Sequence, residues 1–549
     1  MRRFLLLVLL IPCASAAAQD SAFSHADTLR GSYATVGRSW WDVTFYDLQV
    51  TINPADSSIR GSNAITYRAV RPGRLLQIDL MEPLVVDSMV AEGRHLPVRR
   101  DGRAWFVTLA APAVPSRTRL RTITVYYHGQ PQVAKRPPWQ GGFTWGADSL
   151  GRTWVVTTDQ GMGASVWWPN KDTQADEPDS QRVRATVPDS LVYVGNGRLR
   201  GVAPHGNGTT TWEWAVTNPI NNYAIAVAAG HYAHFSDIYH GERGPLTMDY
   251  YPLDYHLEAA QRQFPQARSM LQCFEHWFGP YPWYEDGYKL VEVSNNGMEH
   301  QSAVAYGNRY ANGYQGRDAS GTGLGLKFDF IIVHESAHEW FGNNMTTRDL
   351  ADMWVHESFA NYAEGIYAEC LFGKEAGAQY VIGNRRGVRN DRPIVPPWYG
   401  VNAQGSGDMY PKGGEMLHTI RQIVGDDEKW RGILRGMNRT FWHQVVTGKQ
   451  IEDYISQQAG VDLSKVFQQY LTTTKVPVFE FKIAGSTLSY RWSDVVPGFD
   501  MPIKAMLADS GWSVLHPTEA WQTAQLHLTN SAGFKVDDNY FVIPKLVAP

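Results

Sequence analysis

The chain has 549 residues, of which 43% are hydrophobic and 19% are charged, and its formal net charge is −4 at pH 7. This length predicts roughly two to four domains, and the composition is that of an ordinary globular protein. The near-neutral charge does not favour the strongly basic surface typical of nucleic-acid-binding proteins, so we expect no nucleic-acid partner.

The first residues have the pattern of an export signal. Met1-Arg2-Arg3 precedes an apolar run from Phe4 to Ile11, which small residues follow from Ala14 to Ala18. A positive end, a short apolar run and a small-residue cleavage site are typical of a secretory signal peptide. The run is too short for a permanent anchor, and no later stretch of about 20 apolar residues follows. We therefore predict a signal peptide over residues 1–18 and a periplasmic or extracellular protein that is not an integral membrane protein.

Two cysteines, Cys273 and Cys370, remain after the predicted cleavage. Two are too few for a disulfide framework in a chain of this length. Both lie in stretches with a helical pattern. They could pair in an oxidising compartment, or they could be two buried apolar side chains.

The spacing of apolar residues divides the rest of the chain into three parts. Strict alternation of the kind seen over residues 46–52 predicts half-buried antiparallel strands up to about residue 240. Helical spacing then dominates, as in 256–278, 326–340 and 357–369. Alternation returns near Phe479. We predict a multidomain α+β protein, with an N-terminal β-domain (a sandwich or saddle of strands, 19–245), a mostly helical domain (246–475) and a C-terminal β-sandwich (476–549).

The segment His334-Glu335-Ser336-Ala337-His338 has the form H-E-x-x-H. On a helix, the histidines at i and i+4 share one face and can bind one metal ion, while Glu335 can reach a metal-bound water. A catalytic zinc needs a third protein ligand. Glu357 opens the next predicted helix, and two packed helices would bring it to the histidines. We predict one Zn²⁺ per chain, bound by His334, His338 and Glu357, with Glu335 as the general base.

Four further segments, together with this spacing, resemble the aminopeptidase N and leukotriene-hydrolase family of gluzincin zinc peptidases. They are N-G-M-E-H at 296–300 (family G-x-M-E-N), W-V-H-E-S-F-A at 354–360 (W-L-N-E-G-F-A), Y-P-K-G at 410–413 (Y-x-K-G) and F-G-P-Y-P at 278–282 (F-G-x-Y-P). The resemblance covers about residues 40–475. It implies a thermolysin-like catalytic domain over 246–475 and the activity of a zinc aminopeptidase.

The resemblance also implies roles for individual residues. Tyr410 would donate to the oxyanion of the tetrahedral intermediate. Glu299 would bind the free α-ammonium of a peptide, with Gln160 as its helper. The backbone at Gly297 and Met298 would pair with the substrate as a strand does. The expected partners are therefore peptides with free N-termini.

The sequence departs from the family pattern in several places. His300 and Asn296 replace the usual Asn and Gly beside the predicted anchor, and Ser165 and Val166 stand where members commonly carry an Arg. A chain ending in a β-domain predicts a more open cleft that admits longer peptides.

We also make predictions for three residues near the predicted ligands. We favour a partly exposed His356, and we expect Asn361 or Glu364 to orient a zinc-bound histidine.

Two alternatives compete with the aminopeptidase. An endopeptidase with the same metal geometry would have no use for Glu299 and would cleave blocked peptides. A peptide-binding protein on an inactive peptidase fold would be expected to have lost a ligand or the base, whereas this chain carries them all. The sequence also leaves open an epoxide hydrolase side activity.

Overall fold

The computed structural model describes residues 23–548. The predicted signal peptide lies outside the described residues. Among the residues that are described, no helix combines the length and the apolarity that crossing a bilayer requires.

The N-terminal part is built of strands in three sheets, after one short helix. Strand order is β13-β14-β11-β1-β2-β8-β4-β5 in the largest sheet, β3-β7-β6 in the second and β12-β15-β10-β9 in the third. The elements are α1 (His25–Gly31), β1 (Trp41–Asn53), β2 (Ser58–Ala69), β3 (Gly73–Asp79), β4 (Val85–Ala91), β5 (Arg94–His95), β6 (Val98–Asp101), β7 (Ala104–Ala113), β8 (Leu120–Gly129), β9 (Gly142–Ala147), β10 (Thr153–Thr158), β11 (Ser180–Pro188), β12 (Val192–Val194), β13 (Arg198–Pro204), β14 (Thr209–Val216) and β15 (Ala228–Gly230).

The alternation in the sequence corresponds to alternating burial. Along β1, Tyr46, Leu48 and Val50 are buried, whereas Asp47 and Gln49 between them are not. Successive side chains of a strand point to opposite faces, so one face of this sheet packs into the N-terminal core. The β-rich N-terminal part is confirmed.

The middle part combines a five-stranded mixed sheet, in the order β16-β17-β18-β20-β19, with nine helices among the described residues. Its sheet begins at Phe235, ahead of the predicted domain boundary at residue 246. The elements are β16 (Phe235–Gly241), β17 (Gly244–Tyr251), α2 (Leu257–Gln263), α3 (Gln266–Phe278), β18 (Tyr288–Glu292), β19 (Gly297–Met298), β20 (Val304–Tyr306), α4 (Phe330–Ala337), β21 (Met345–Thr347), α5 (Trp354–Phe372), α6 (Lys374–Gly383), α7 (Pro411–Val424), α8 (Asp427–Thr440), β22 (Gln444–Val446), α9 (Gly448–Ala459) and α10 (Ser464–Thr472).

Helix α4 carries the H-E-x-x-H segment and has a well-fixed start. The carboxylate of Asp329 accepts from the main-chain N–H groups of Ile331 and Ile332, which an N-cap does for the unpaired donors of a first turn. Asp329 in turn accepts from the hydroxyl of Tyr306 on β20 at 2.7 Å. The sheet therefore sets the position of the helix.

A disulfide joins Cys273 of α3 to Cys370 of α5, across 97 residues of sequence. Of the two alternatives left open by the sequence, the structure has the paired form. The bond ties the helix that carries Glu357 to its neighbour in the same core.

The C-terminal part is again made of strands, which confirms the predicted β region. Its elements are β23 (Val478–Ala484), β24 (Thr487–Ser493), β25 (Ile503–Ala508), β26 (Gly511–Leu515), β27 (Gln522–Gln525) and β28 (Ile543–Leu546). They form a sheet in the order β27-β24-β23-β28 and a separate β25-β26 hairpin. The part is attached to α7, since Phe541 N–H donates to the hydroxyl of Thr419 at 3.0 Å.

Candidate active site

Two histidines of α4 and one glutamate of α5 face one another. One ligand atom each from His334, His338 and Glu357 lies within 4.8 Å of the other two, and all three residues are buried. Oε2 of Glu357 is 3.6 Å from Nε2 of His334 and 3.4 Å from Nε2 of His338. The residues predicted as metal ligands are thus brought together, with one nitrogen of each imidazole turned toward the carboxylate.

The other ring nitrogen of each histidine has its own partner. Nδ1 of His334 lies 2.7 Å from Oε1 of Glu364, and Nδ1 of His338 lies 3.0 Å from the carbonyl oxygen of Phe341. An Nδ1–H that donates to an oxygen leaves the Nε2 lone pair free to bind a metal. The carbonyl at Phe341 points this way because the backbone departs from helical geometry at Phe341 and Gly342.

Glu364 itself is held in place by two donors. The hydroxyl of Tyr380 donates to it at 2.8 Å and the side-chain amide of Asn361 at 3.2 Å. Of the two candidates for orienting a histidine, Glu364 contacts His334 directly, and Asn361 contacts Glu364.

The donor set fits a zinc ion. Oε2 of Glu357 is buried and has no hydrogen-bond partner among residues 23–548, which is unusual for a carboxylate oxygen. Burial alone would lower the pKa of His338, but the charges of Glu357 and Glu299 raise it to about 9. A buried cluster that attracts protons in this way would bind a dication in their place. Two imidazoles and one carboxylate are a common ligand set of a catalytic zinc.

Glu335 lies in the same cavity, next to Gly297. A Cβ at Gly297 would meet Oε1 of Glu335 at 3.0 Å and Cγ2 of Ile331 at 2.9 Å, and φ of Gly297 is +155°. Only glycine fits such a close approach. Burial raises the pKa of Glu335, and the imidazoles of His334 and His338 oppose that rise. Its carboxylate is thus buried beside His338 of the metal cluster.

The predicted substrate strand is a sheet edge. Gly297 and Met298 form β19, the last strand of the five-stranded sheet, and both line the cavity. A strand with one unpaired side can accept a peptide as a further strand.

Glu299, the predicted anchor, is 2% exposed and lies close to the cluster without being one of its three ligands. One of its carboxylate oxygens lies within 4.8 Å of ligand atoms of Glu335 and His338. The amide of Gln160 donates to Glu299 and is also 3.5 Å from Oε1 of Glu357. Burial, partly offset by His338, raises the pKa of Glu299 to about 8, and Glu357 and Glu335 add to the rise. A cationic group arriving here would restore the ionised form.

Tyr410 immediately precedes α7, and its ring lies against that of His334, with centroids 5.9 Å apart. Desolvation, followed by the charges of Glu357 and Glu299, raises the pKa of the hydroxyl well above its usual value. The phenol therefore stays protonated and can donate a hydrogen bond into the cavity.

The three departures from the family pattern have different surroundings. The amide of Asn296 donates to the hydroxyl of Tyr314 at 2.6 Å. His300 is buried, and burial lowers its pKa to about 3, so its ring is neutral. Where family members carry an Arg, the hydroxyl of Ser165 donates to Asp172 at 2.5 Å, and Val166 is buried.

The prediction for His356 is wrong. The residue is buried, because its ring packs inside the turn at Gly342, and its Nε2 accepts from the main-chain N–H of Thr347 at 3.0 Å. It is a structural residue behind the metal cluster.

Sequence reasoning missed two residues of the N-terminal part. The hydroxyl of Tyr223 is buried without a hydrogen-bond partner in the described chain, and burial and the charges of Glu299 and Glu357 raise its pKa well above the usual value. Trp139 lines the cavity and is 58% exposed. Neither lies in a motif whose spacing could have indicated it.

The cavity that is lined by the metal cluster, Glu299, Glu335 and Tyr410 has a volume of about 540 Å³. Residues of the N-terminal part form one of its walls, and α4, α5, β19 and the segment before α7 form the others. Its N-terminal wall consists of Pro138, Trp139 and Gln160.

Part of the chain is similar to known peptidases. Residues 262–470 match the peptidase family M1 domain. Aminopeptidase N of Lactococcus lactis is 24% identical over 54% of this chain and 32% of its own length. Aminopeptidase N of Streptomyces lividans is 26% identical over 57% of this chain and 39% of its own length.

The fold also has solved relatives. The M1 zinc metallopeptidase of Deinococcus radiodurans superposes with a TM-score of 0.68 at 21% identity, covering 82% of this chain and 98% of that one. The predicted multidomain fold is confirmed, and so is the resemblance to the aminopeptidase N family of gluzincin peptidases. The matches span 32% of the length of the first of these curated relatives and 39% of the second.

Proposed function

We propose that the protein is an exported zinc aminopeptidase, which releases the N-terminal residue of peptides. The observation that carries the proposal is the position of Glu299. It is a buried carboxylate outside the predicted ligand set of His334, His338 and Glu357, and it lies beside Glu335 and His338 in the same cavity. A peptide ammonium bound there would hold the first peptide bond near the metal cluster.

The charge of Glu299 explains the preference for a free N-terminus. An internal stretch of peptide, or a blocked N-terminus, brings no cation to pair with this buried carboxylate. Such substrates form no ion pair with Glu299, and its ionised form would remain buried and unpaired at a cost, so they bind poorly. Gln160 orients the carboxylate by donating to it.

His334, His338 and Glu357 would hold one zinc ion. When bound, the ion supplies Lewis acidity and lowers the pKa of a bound water. Glu335 accepts a proton from the attacking water and returns it to the leaving amine. The hydroxyl of Tyr410 donates to the developing oxyanion, and the edge of β19 holds the peptide backbone in line.

Two observations support export. The first 18 residues have the pattern of a signal peptide. The disulfide between Cys273 and Cys370 is typical of proteins that mature outside the reducing cytoplasm. Expression of the full chain with a C-terminal tag, followed by fractionation and N-terminal sequencing, tests this part; a cytoplasmic protein that keeps Met1 contradicts it.

The activity is tested with aminoacyl-naphthylamides and their N-acetylated counterparts, using mature protein with and without a chelator. The proposal predicts cleavage of the free-amine compounds alone, loss of cleavage on chelation and recovery with zinc. Cleavage of the acetylated compounds would instead indicate the endopeptidase. No cleavage of either by zinc-loaded protein would favour the non-catalytic peptide-binding protein.

A further inference from the structure

The charges that line the cavity are unevenly distributed. Near the metal cluster the lining carries carboxylates, among them Glu299 and Glu335. Arg389 is the one Lys or Arg side chain among the described residues that line it. A short peptide with free termini has the complementary arrangement, with an ammonium at one end and a carboxylate at the other.

Arg389 differs from the other arginines of its segment. Arg385 donates to Oε2 of Glu415 at 2.9 Å, and Arg386 donates to the carbonyl of Asp318 at 2.9 Å. The guanidinium of Arg389 has no hydrogen bond or ion pair with any residue in 23–548, and the residue is exposed. Of the three side chains, the one that lines the cavity is thus the one whose donors are free.

The backbone that carries Arg389 is nonetheless fixed. The main-chain N–H groups of Arg389 and Asn390 donate to the two carboxylate oxygens of Asp408, at 2.8 Å and 2.6 Å. Asp408 is buried and stands two residues before Tyr410. Its oxygens are occupied by main-chain donors, and the segment that positions the Tyr410 phenol also positions Arg389.

The two groups of opposite charge, Glu299 and Arg389, belong to different structural elements. Glu299 and Gln160 contact each other next to Glu357. The Arg389 segment lies instead beside the start of α7, where a Cβ at Gly387 would be 3.7 Å from Cγ of Pro411. Glu299 and Arg389 thus line the same cavity from different segments of the chain.

From this arrangement we propose that Arg389 binds the C-terminal carboxylate of short peptides, and that such peptides are the preferred substrates. The inference rests on the proposed aminopeptidase function and names its substrate class. A guanidinium suits this role because its planar donors match a carboxylate in a bidentate pair. A cavity of about 540 Å³ has the size of a small-ligand site. The inference runs against the open cleft for longer peptides that the sequence predicts.

The test compares trialanine with trialanine amide, which differ only in the C-terminal charge, on zinc-loaded full-length mature protein. We expect kcat/KM of the wild type to be higher for the free acid by about tenfold, as one charged hydrogen-bonded contact would give. In Arg389→Gln this preference falls to near one through a higher KM, while cleavage of alanyl-naphthylamide, which has no carboxylate, is unchanged within about twofold. Arg389→Lys retains part of the preference for the free acid, because lysine keeps the positive charge but lacks the planar pair of donors.

Arg386→Gln is the matched control, because it removes an arginine of the same segment that does not line the cavity. We expect it to keep the wild-type preference for the free acid. A binding measurement provides a second readout: calorimetric titration of the zinc-loaded Glu335→Gln protein with both peptides should show the same preference, which the added Arg389→Gln change removes.

The outcomes distinguish a failure of this inference from a failure of the proposed aminopeptidase function. If the wild type cleaves acid and amide equally, or if Arg389→Gln weakens both alike, Arg389 is not a carboxylate anchor, although the aminopeptidase stands. If neither the peptides nor the naphthylamide is cleaved, the proposed function itself fails and this inference fails with it.

Discussion

Two walls of the cavity differ in how far apart in sequence the contacting residues lie. The metal-binding wall comes from two helices that are close in sequence, and local spacing places its ligands. The opposite wall comes from the N-terminal part, where Gln160 reaches Glu299 across 139 residues of sequence. The comparison indicates that the chemistry of this site is encoded locally, whereas the selection of substrate depends on how the N-terminal part docks.

This contrast predicts different consequences for mutations on the two walls. Changes on α4 and α5 should affect kcat or the bound metal. Changes on the N-terminal wall should affect KM and selectivity and leave the metal in place.

The largest effect is expected at Glu335. Glu335→Gln keeps the shape of the side chain but removes the base, so kcat should fall by about a thousandfold. Zinc content, measured by atomic absorption, should remain that of the wild type. Full activity in the variant would show that another group accepts the proton.

Glu364 should govern metal affinity. Glu364→Ala removes the acceptor that orients His334, so we expect zinc affinity to fall by about 10- to 100-fold in a competition titration with a chromophoric chelator. Asn361→Ala removes only a donor to Glu364 and serves as the graded control. Equal affinity in Glu364→Ala and the wild type would exclude the orienting role.

Gln160 tests the opposite wall. Gln160→Ala should raise KM for free-amine substrates by about tenfold, because Glu299 loses the donor that orients it. The kcat value and the zinc content should change little. A variant that instead lost its zinc would contradict the division between the two walls.

The smallest effect is expected at a residue that lies on neither wall, and it concerns stability rather than activity. Glu415 on α7 is fully buried, and burial, opposed by Arg385, raises its pKa to about 7. A carboxyl group whose pKa is higher in the folded state than in the unfolded state stabilises the fold below its unfolded pKa. For Glu415 this stabilisation is lost as the pH rises through about 7.

At pH 8, the free energy of unfolding of Glu415→Gln should therefore exceed that of the wild type by an amount on the order of 2 kcal/mol, and the variant should unfold at a higher temperature. The difference should be smaller at pH 5. Calorimetric scans at the two values check this. A destabilised variant at pH 8 would mean that the ion pair with Arg385 outweighs the cost of burial.

The helical wall could be predicted because its signals are short-range. His334 and His338 share a helix face through a spacing of four residues, and Glu357 opens the next helix along the chain. Alternation over residues 46–52 likewise predicted β1. In each case the period of the element determines which side chains meet.

The remaining features depend on tertiary contacts, which the spacing of residues along the sequence does not indicate. Trp139 lines the cavity, and Tyr223 lies close enough to Glu299 to feel its charge, only because the N-terminal part packs against the middle part. His356 is buried by the turn at Gly342, whose non-helical backbone has no sequence period. The free guanidinium of Arg389 becomes apparent only after the partners of Arg385 and Arg386 are known.

The central claim is that Glu299 makes this protein select free N-termini. It is tested most directly by the ratio of kcat/KM for alanyl-naphthylamide to that for its N-acetylated counterpart, measured in wild-type and Glu299→Gln protein of equal zinc content. We predict a large ratio in the wild type that collapses in the variant, because the neutral amide no longer pairs with an ammonium. A Glu299→Gln protein that retained the wild-type ratio would contradict the claim.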